Sequence, residues 1–414
     1  WAGMKNLPVG TLTHLRTNPR VRKQSAQGGC FMPRKKVMAV FGTRPEAIKM
    51  APVVRALRNC DAIDCVVVVT AQHREMLDQV LRLFNIVPDY DLDIMREGQS
   101  LTDIAVRALA GLEAPLVNER PDLVLVHGDT STTFVASLVA FYHHVQVGHV
   151  EAGLRTRDKY FPFPEEMNRR LTGCLADIHF APVENHKRNL LAEGVGAEAI
   201  HVTGNTVIDA LLDVAGQPYE FRDPALAAID FDHRKVLLVT AHRRENLGEP
   251  MREICRALKD IVEDYPDVEV VFPVHMNPLV RADVMGILRG IPRVHLIDPV
   301  DYQTMVALMK RCYMVLTDSG GLQEEAPSLD KPVIVLRDVT ERPEGLDAGT
   351  LVLAGTERKR IVERASELLE DSAAYARMAC ARNPYGDGRA SQRILAVLLW
   401  RFGLSLERPE DYSG

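Results

Sequence analysis

At 414 residues the chain is longer than one hydrophobic core usually supports, so two domains are expected. Its 46% hydrophobic and 26% charged residues are ordinary for a globular protein. The net charge of −6 argues against nucleic-acid binding driven by bulk electrostatics, while leaving room for a local basic pocket.

No apolar run approaches the roughly 20 residues of a membrane span, so no membrane partner is expected. The seven cysteines are an odd number, scattered and without a CxxC pair. That excludes a disulfide framework and a zinc site as first readings and favours reduced thiols in a cytoplasmic protein. Residues 1–31 contain basic residues, Gly and Pro but no acid and no sustained periodicity. They are read as a tail or upstream extension rather than an organelle presequence, with Met32 as the natural start.

From Lys36 on, strand and helix signals alternate. "KVMAVFG" is a short buried strand ended by glycine, and "EAIKMAPVVRALRN" has helical spacing around an internal proline. "DCVVVVTA", "PDLVLVHGD", "VQVGHVEA", "IHFAPV" and "HVTGN" follow as apolar strands, separated by helical segments such as "EMLDQVLRLF" and "STTFVASLVAFYHH". The pattern then restarts with "RKVLLVTAHR", the helical "EPMREICRALKDIVEDY" and "VEVVFPVH". "RVHLIDP", "YMVLTDSG", "KPVIVLRD" and "GTLVLAG" complete the series, and "SQRILAVLLWRFGL" is a final amphipathic helix. Apolar strands alternating with helices predict an α/β chain with two Rossmann-like, doubly wound parallel sheets. The expected boundaries are 32–203 for the N-terminal domain, joined by helix 390–405, and 204–389 for the C-terminal domain.

In open α/β sheets ligands bind beyond the carboxyl ends of strands. Here those ends read "FGTRPE", "TAQHRE", "HGDTST", "HVEAGLRT", "TAHRREN", "PVHMNP", "TDSGGLQEE" and "LRDVTERPE", dense in Arg, His, Asp and Glu. Their repetition in both halves predicts a charged cleft. Arg44 and Lys49 can contribute charge to an anion site, although the same loop could be a surface turn opening a helix. Asp129 could be catalytic or simply an N-cap. Glu151 has no capping role in view, so a functional role gains. Glu165, Glu166 and Arg169 enter a helix, where acids also suit the helix dipole. His242, Arg243 and Arg244 form a cationic group suited to phosphate, and His275 ends a further strand. The sharpest element is "LTDSGGLQEEAPS": Ser319, Gly320 and Gly321 allow backbone N–H groups to approach a diphosphate. Glu325, a turn further on, suits vicinal hydroxyls. Glu324 is explained only as a helix-start acid.

The segments "VFGTRPEAIKMAP", "TAQHREMLDQV", "VLVHGDTSTT", "VGHVEAGLRT", "PEEMNRRLTG", "TGNTVIDAL", "AHRREN", "PVHMNP", "TDSGGLQEEAPSL", "RDVTERPEG" and "NPYGDGRAS" resemble the non-hydrolysing bacterial UDP-N-acetylglucosamine 2-epimerases, in order from about Lys36 to Ile394. The resemblance implies a glycosyltransferase-B-like pair of domains facing a cleft, and a homodimer. It implies interconversion of UDP-GlcNAc and UDP-ManNAc, with neither NAD nor metal as cofactor. Asp129, Glu151 and Glu165 become the candidate acid/base carboxylates. His242 and Arg169 serve the diphosphate and its developing charge. Ser319, Gly320 and Gly321 hold the diphosphate, Glu325 the ribose, and Arg342 lies near the phosphates and the sugar. Arg44 and Lys49 join the site, and Val300 and Met305 flank the uracil. A second, activating UDP-GlcNAc is implied near Gln72, Arg243 and His275. Against this, Glu75 and Gly98 stand where some family members have Gln and Arg. A hydrolysing epimerase, a glycosyltransferase needing an acceptor, and a binding protein without catalysis are the rival readings. Three neighbouring carboxylates would not help to bind an anionic nucleotide, which counts against the last.

Overall fold

The computed structural model describes residues 34–71, 74–96 and 98–414; the tail over 1–31 and Gln72 lie outside the described residues. One parallel sheet contains β1 (Lys35–Phe41), β2 (Ile63–Val69), β3 (Tyr90–Asp91), β4 (Leu123–His127), β5 (Gln146–Val150), β6 (Ile178–Ala181) and β7 (Ile200–Val202). Its order is β3-β2-β1-β4-β5-β6-β7. A second contains β8 (Lys235–Thr240), β9 (Val268–Pro273), β10 (Val294–Ile297), β11 (Met314–Thr317), β12 (Val333–Val335) and β13 (Leu351–Leu353), in the order β10-β9-β8-β11-β12-β13. Both orders run outward from the first strand and then reverse, the doubly wound arrangement. The sequence reading captured every strand but β3, whose two residues carry no periodicity.

The central strands are apolar throughout because helices cover both of their faces. Val37, Met38, Ala39, Val40 and Phe41 of β1 are fully buried, as are Leu237, Leu238 and Val239 of β8. Each of these side chains except that of Ala39 contributes about 1.5–3 kcal/mol relative to exposure. Helix Glu249–Asp264 buries Met251, Ile254, Cys255, Leu258, Ile261 and Val262, one face at helical spacing, against the second sheet's core.

By contact density the described residues fall into two units. The first holds the residues up to Met50, Val54–Val150 and Asp158–Ile178; the second holds Ala51–Val53, Glu151–Arg157 and His179–Gly414.

Candidate functional site

Each sheet reverses its strand order once, between β1 and β4 and between β8 and β11. At such a point the neighbouring loops diverge and open a crevice at the strand ends. In the first unit that place is lined by Gly42, Thr43 and Arg44 after β1 and by Gly128, Asp129 and Thr130 after β4. Gly42 is obligatory: a Cβ there would lie 2.0 Å from Thr70 Oγ1 and 2.8 Å from Thr132 Oγ1. Glu46, only 2% exposed, fastens the two loops together. Its Oε2 accepts from Gly42 N (3.0 Å), Thr43 N (2.7 Å) and Thr43 Oγ1 (2.8 Å), and its Oε1 from Thr130 Oγ1 (2.7 Å). Burial raises the Glu46 pKa, and the bonds from Thr130, Thr43 and Gly42 oppose that rise.

Asp129 is not an N-cap. Thr130 caps helix Ser131–Tyr142, its Oγ1 accepting from Thr133 N at 3.2 Å. The Asp129 carboxylate instead receives Arg169 Nη2 at 2.5 Å, and Asn168 Nδ2 donates to the Asp129 carbonyl at 3.0 Å. Arg169 also lies 3.3 Å from Glu166, whose side chain is fully buried. Helix Glu165–Leu175 carries all three of these partners, with Glu165 half-buried at its first position. Arg44 and Lys49 lie half-buried on helix Arg44–Arg58, which continues through Pro52.

In the second unit the equivalent carboxylate is Asp318, fully buried directly after β11. Its Oδ2 accepts from His242 N (2.8 Å), Arg243 N (2.8 Å) and Asn246 Nδ2 (2.9 Å), which fixes the loop after β8. The His242 side chain is 43% exposed, with Nδ1 3.7 Å from Asp318 Oδ1, and its ring stacks on His275 at 5.0 Å and 10°. Its pKa is lowered, first by loss of hydration and also by His275 and Arg243, with Asp318 acting in the opposite sense. A neutral imidazole is therefore favoured there near pH 7.

Ser319 N is already committed to Thr317 Oγ1 at 2.9 Å. The N–H groups that open the short helix Gly320–Glu325 therefore belong to Gly320 and Gly321, and the first N–H groups of a helix have no intrahelical acceptor. A Cβ on Gly320 would lie 3.6 Å from Arg342 Nη2 and 3.7 Å from Arg243 Nη2, so two guanidinium groups converge on this glycine. That cluster of backbone donors and planar cations suits a diphosphate. Glu325 lies next to Gly321, its Oε1 3.3 Å from where a Cβ would be, and Tyr302 donates to its Oε2 at 3.1 Å. Tyr302 opens the helix that carries Met305, just after Val300, so the 300–305 turn is tied to Glu325.

Glu324 has a larger role than a helix-start acid. It is 3% exposed and pairs with Arg342 Nε. Its Oε2 accepts from Asn205 Nδ2 at 2.7 Å, and Asn205 Nδ2 also donates to Glu151 Oε2 at 3.0 Å. Burial disfavours the Arg342 charge, but Glu324 and Glu151 outweigh it and raise its pKa. Glu151 itself sits at φ +61°, a left-handed conformation costing a non-glycine residue roughly 1–3 kcal/mol. Arg155, four residues on, forms a bidentate pair with Glu193 at 2.8 Å.

Asn205, Tyr302 and Asp318 were missed by sequence reasoning. A buried amide or carboxylate that holds a loop looks like any N-cap or turn residue until its partners, here 54 to 119 positions away for Asn205, are known.

The sequence model of the UDP-N-acetylglucosamine 2-epimerase family matches residues 55–399. A UDP-N-acetylglucosamine 2-epimerase of Bacillus subtilis is 54% identical, over 92% of this chain and 100% of its own. The Yersinia pestis protein of the same name is 58% identical, over 88% of this chain and 98% of its own. Among solved structures, the UDP-GlcNAc 2-epimerase of Neisseria meningitidis bound to UDP-GlcNAc superposes with a TM-score of 0.81 at 50% identity, covering 88% of this chain and all of that one.

Proposed function

The chain belongs to the UDP-N-acetylglucosamine 2-epimerase family, and from that premise we propose that it interconverts UDP-GlcNAc and UDP-ManNAc without net hydrolysis. The C2 proton of the sugar is not next to a carbonyl, so its direct removal is difficult. In the proposed route a carboxylate takes the C2 proton while the C1–O bond breaks and UDP departs, leaving 2-acetamidoglucal. UDP then adds back to C1, and a proton returns to C2 on the opposite face. Loss of an anionic leaving group calls for fixed cations and donors, and removal of the proton calls for a base.

One observation carries this reading. The Arg342 guanidinium that converges with Arg243 on Gly320 is linked, through Glu324 and Asn205, to the Glu151 carboxylate. Leaving-group stabilisers and a candidate base thus belong to one hydrogen-bonded system. The bound UDP-GlcNAc of the Neisseria meningitidis relative supports the same ligand here. Asp129 and Glu165 are proposed as the partner carboxylates, with Arg169 paired to Asp129. His242 is proposed to serve the diphosphate.

Incubation with UDP-GlcNAc alone in D2O, followed by chromatography and mass spectrometry, tests the proposal. The expected products are UDP-ManNAc and UDP-GlcNAc, each deuterated at C2, with total UDP-sugar conserved. Free ManNAc with stoichiometric UDP would identify a hydrolysing enzyme. No turnover until an acceptor is added would identify a glycosyltransferase, and binding without turnover a carrier. The same reading extends to a second UDP-GlcNAc molecule as activator near Arg243 and His275. UDP-ManNAc alone would then react with a lag that trace UDP-GlcNAc relieves, and hyperbolic kinetics without a lag would remove this extension.

A further inference from the structure

Asn205 belongs to the segment "TGNTVIDAL" at 203–211, and a distant segment, "NPYGDGRAS", lies at 383–391. The fold brings them together. Asn205 N donates to the Tyr385 carbonyl at 2.6 Å. Gly204, at φ +84°, holds a backbone conformation that L side chains rarely adopt, and it packs on Gly386, whose Cα would lie 3.4 Å from an added Cβ. Asn383 Nδ2 donates to the Glu324 carbonyl at 2.8 Å. The 383–388 loop therefore holds Asn205 and Glu324 by their main chains at once.

The side chain of Asn205 is fully determined by its surroundings. Its Oδ1 accepts from Val207 N at 3.1 Å, capping helix Thr206–Ala215. Its two amide hydrogens go to Glu151 Oε2 and Glu324 Oε2. A carboxylate oxygen accepts, and an amide nitrogen carries two hydrogens, one for each of the two carboxylates. Asn205 is 3% exposed, so its amide is shielded from bulk water, and its bond to Glu324 is buried while Glu151 is half-buried.

We propose that Asn205 is a positioning residue for the epimerisation: its amide, fixed by the 383–388 loop, aims the Glu151 carboxylate and ties it to the Glu324–Arg342 pair beside the Gly320 cradle. Glu151 projects from a left-handed backbone turn, and its three side-chain torsions leave its carboxylate to be aimed by hydrogen-bond partners such as Asn205. Asn205 donates to it, the charge of Arg342 acts on it, and Glu324 shares the Asn205 amide with it. The proposal rests on the reading of Glu151 as an acid/base carboxylate.

Asn205→Ser and Asn205→Asp test it. Serine and aspartate both keep a side-chain oxygen to cap the helix and the main-chain N–H for Tyr385, so the cap and the main-chain tie are retained. Serine removes the double donor; aspartate replaces it with a third acceptor. For Asn205→Ser we expect kcat to fall about tenfold or more, with the KM for UDP-GlcNAc and the affinity for UDP changed less than about threefold. The acid limb of the kcat profile should move to higher pH, because an ionised carboxylate that loses a donor holds its proton more tightly. In Asn205→Asp, added like charge should move that limb further in the same direction. Wild-type kcat and pH profile in both variants would overturn the proposal. So would a kcat loss that only parallels a fall in thermal midpoint and UDP affinity. Glu151→Gln run alongside separates the two ideas. Wild-type turnover in Glu151→Gln removes the premise, whereas an inactive Glu151→Gln beside a wild-type Asn205→Ser removes only the role of Asn205.

Discussion

The cap of the last helix lies 182 residues earlier in the chain: Asp209 Oδ1 accepts from Ser391 N at 2.8 Å and from Ser391 Oγ at 2.6 Å. Asp209 Oδ2 adds Ala390 N at 3.1 Å, and Arg389, at the N-cap position, supplies no side-chain cap of its own. Helix Ala390–Arg401 thus owes its start to helix Thr206–Ala215.

Asp209→Ala should therefore destabilise the protein by about 2–4 kcal/mol, since it removes a cap and leaves buried donors unmatched. Asp209→Asn retains one acceptor and should cost less than half as much. Urea titrations of both variants check this. Equal midpoints for Asp209→Ala and wild type would show that water or Ser391 itself replaces the cap.

Glu151→Gln and Asp129→Asn should each lower epimerisation by about 100-fold or more while binding UDP with unchanged affinity, because the amides keep size but lose basicity. Turnover and calorimetric UDP binding are read on the same samples. Wild-type turnover in both would sink the carboxylate assignment.

At Gly320 an added methyl meets both guanidinium groups at ordinary contact distance, 3.6 and 3.7 Å, so Gly320→Ala should fold as wild type. The methyl would occupy the space proposed for a phosphate oxygen, and UDP affinity should fall about tenfold or more, equivalent to about 1.4 kcal/mol. Undiminished UDP binding would place the diphosphate elsewhere.

His201 gives a pH-dependent stability. It is 1% exposed, edge-on to Trp400 at 5.9 Å, and neither ring nitrogen has a hydrogen-bond partner. Burial pushes its pKa down to about 4 from 6.5; Asp411 works against this, and Arg408, Arg401 and Lys187 add to it. The unfolded chain then binds the proton more tightly than the native state. Its stability contribution is complete above pH 6.5 and is lost as pH falls toward 4. His201→Phe lacks this titration, so between pH 7 and pH 5 wild type should lose about 2 kcal/mol more than the variant. Parallel stability curves would refute the assignment.

Much of the fold was legible because buried parallel strands are apolar on both faces, and strand ends marked by Gly, Asp and His show where loops begin. The Gly320–Gly321 turn that opens helix Gly320–Glu325 could be read for the same reason: glycine after a strand is a local backbone signal. Asp129 was ambiguous, because a strand-end acid before a helix reads equally well as a cap, and only the position of Thr130 decides between them. Glu324 was misjudged as a helix-start acid, because its partners, Arg342 and Asn205, are 18 and 119 positions away.

The sequence by itself thus determined the two parallel sheets, the strand ends dense in Gly, Arg, His, Asp and Glu, and the family to which the chain belongs. These are set by local propensity and short-range pattern. Only the tertiary structure decided which carboxylate faces which donor: buried Glu46 and Asp318 on the strand-end loops, buried Glu324 on Arg342, and half-buried Glu151 on Asn205. A buried charge requires a matching donor wherever the chain can supply one, and those donors come from segments whose adjacency exists only once the sheets have formed.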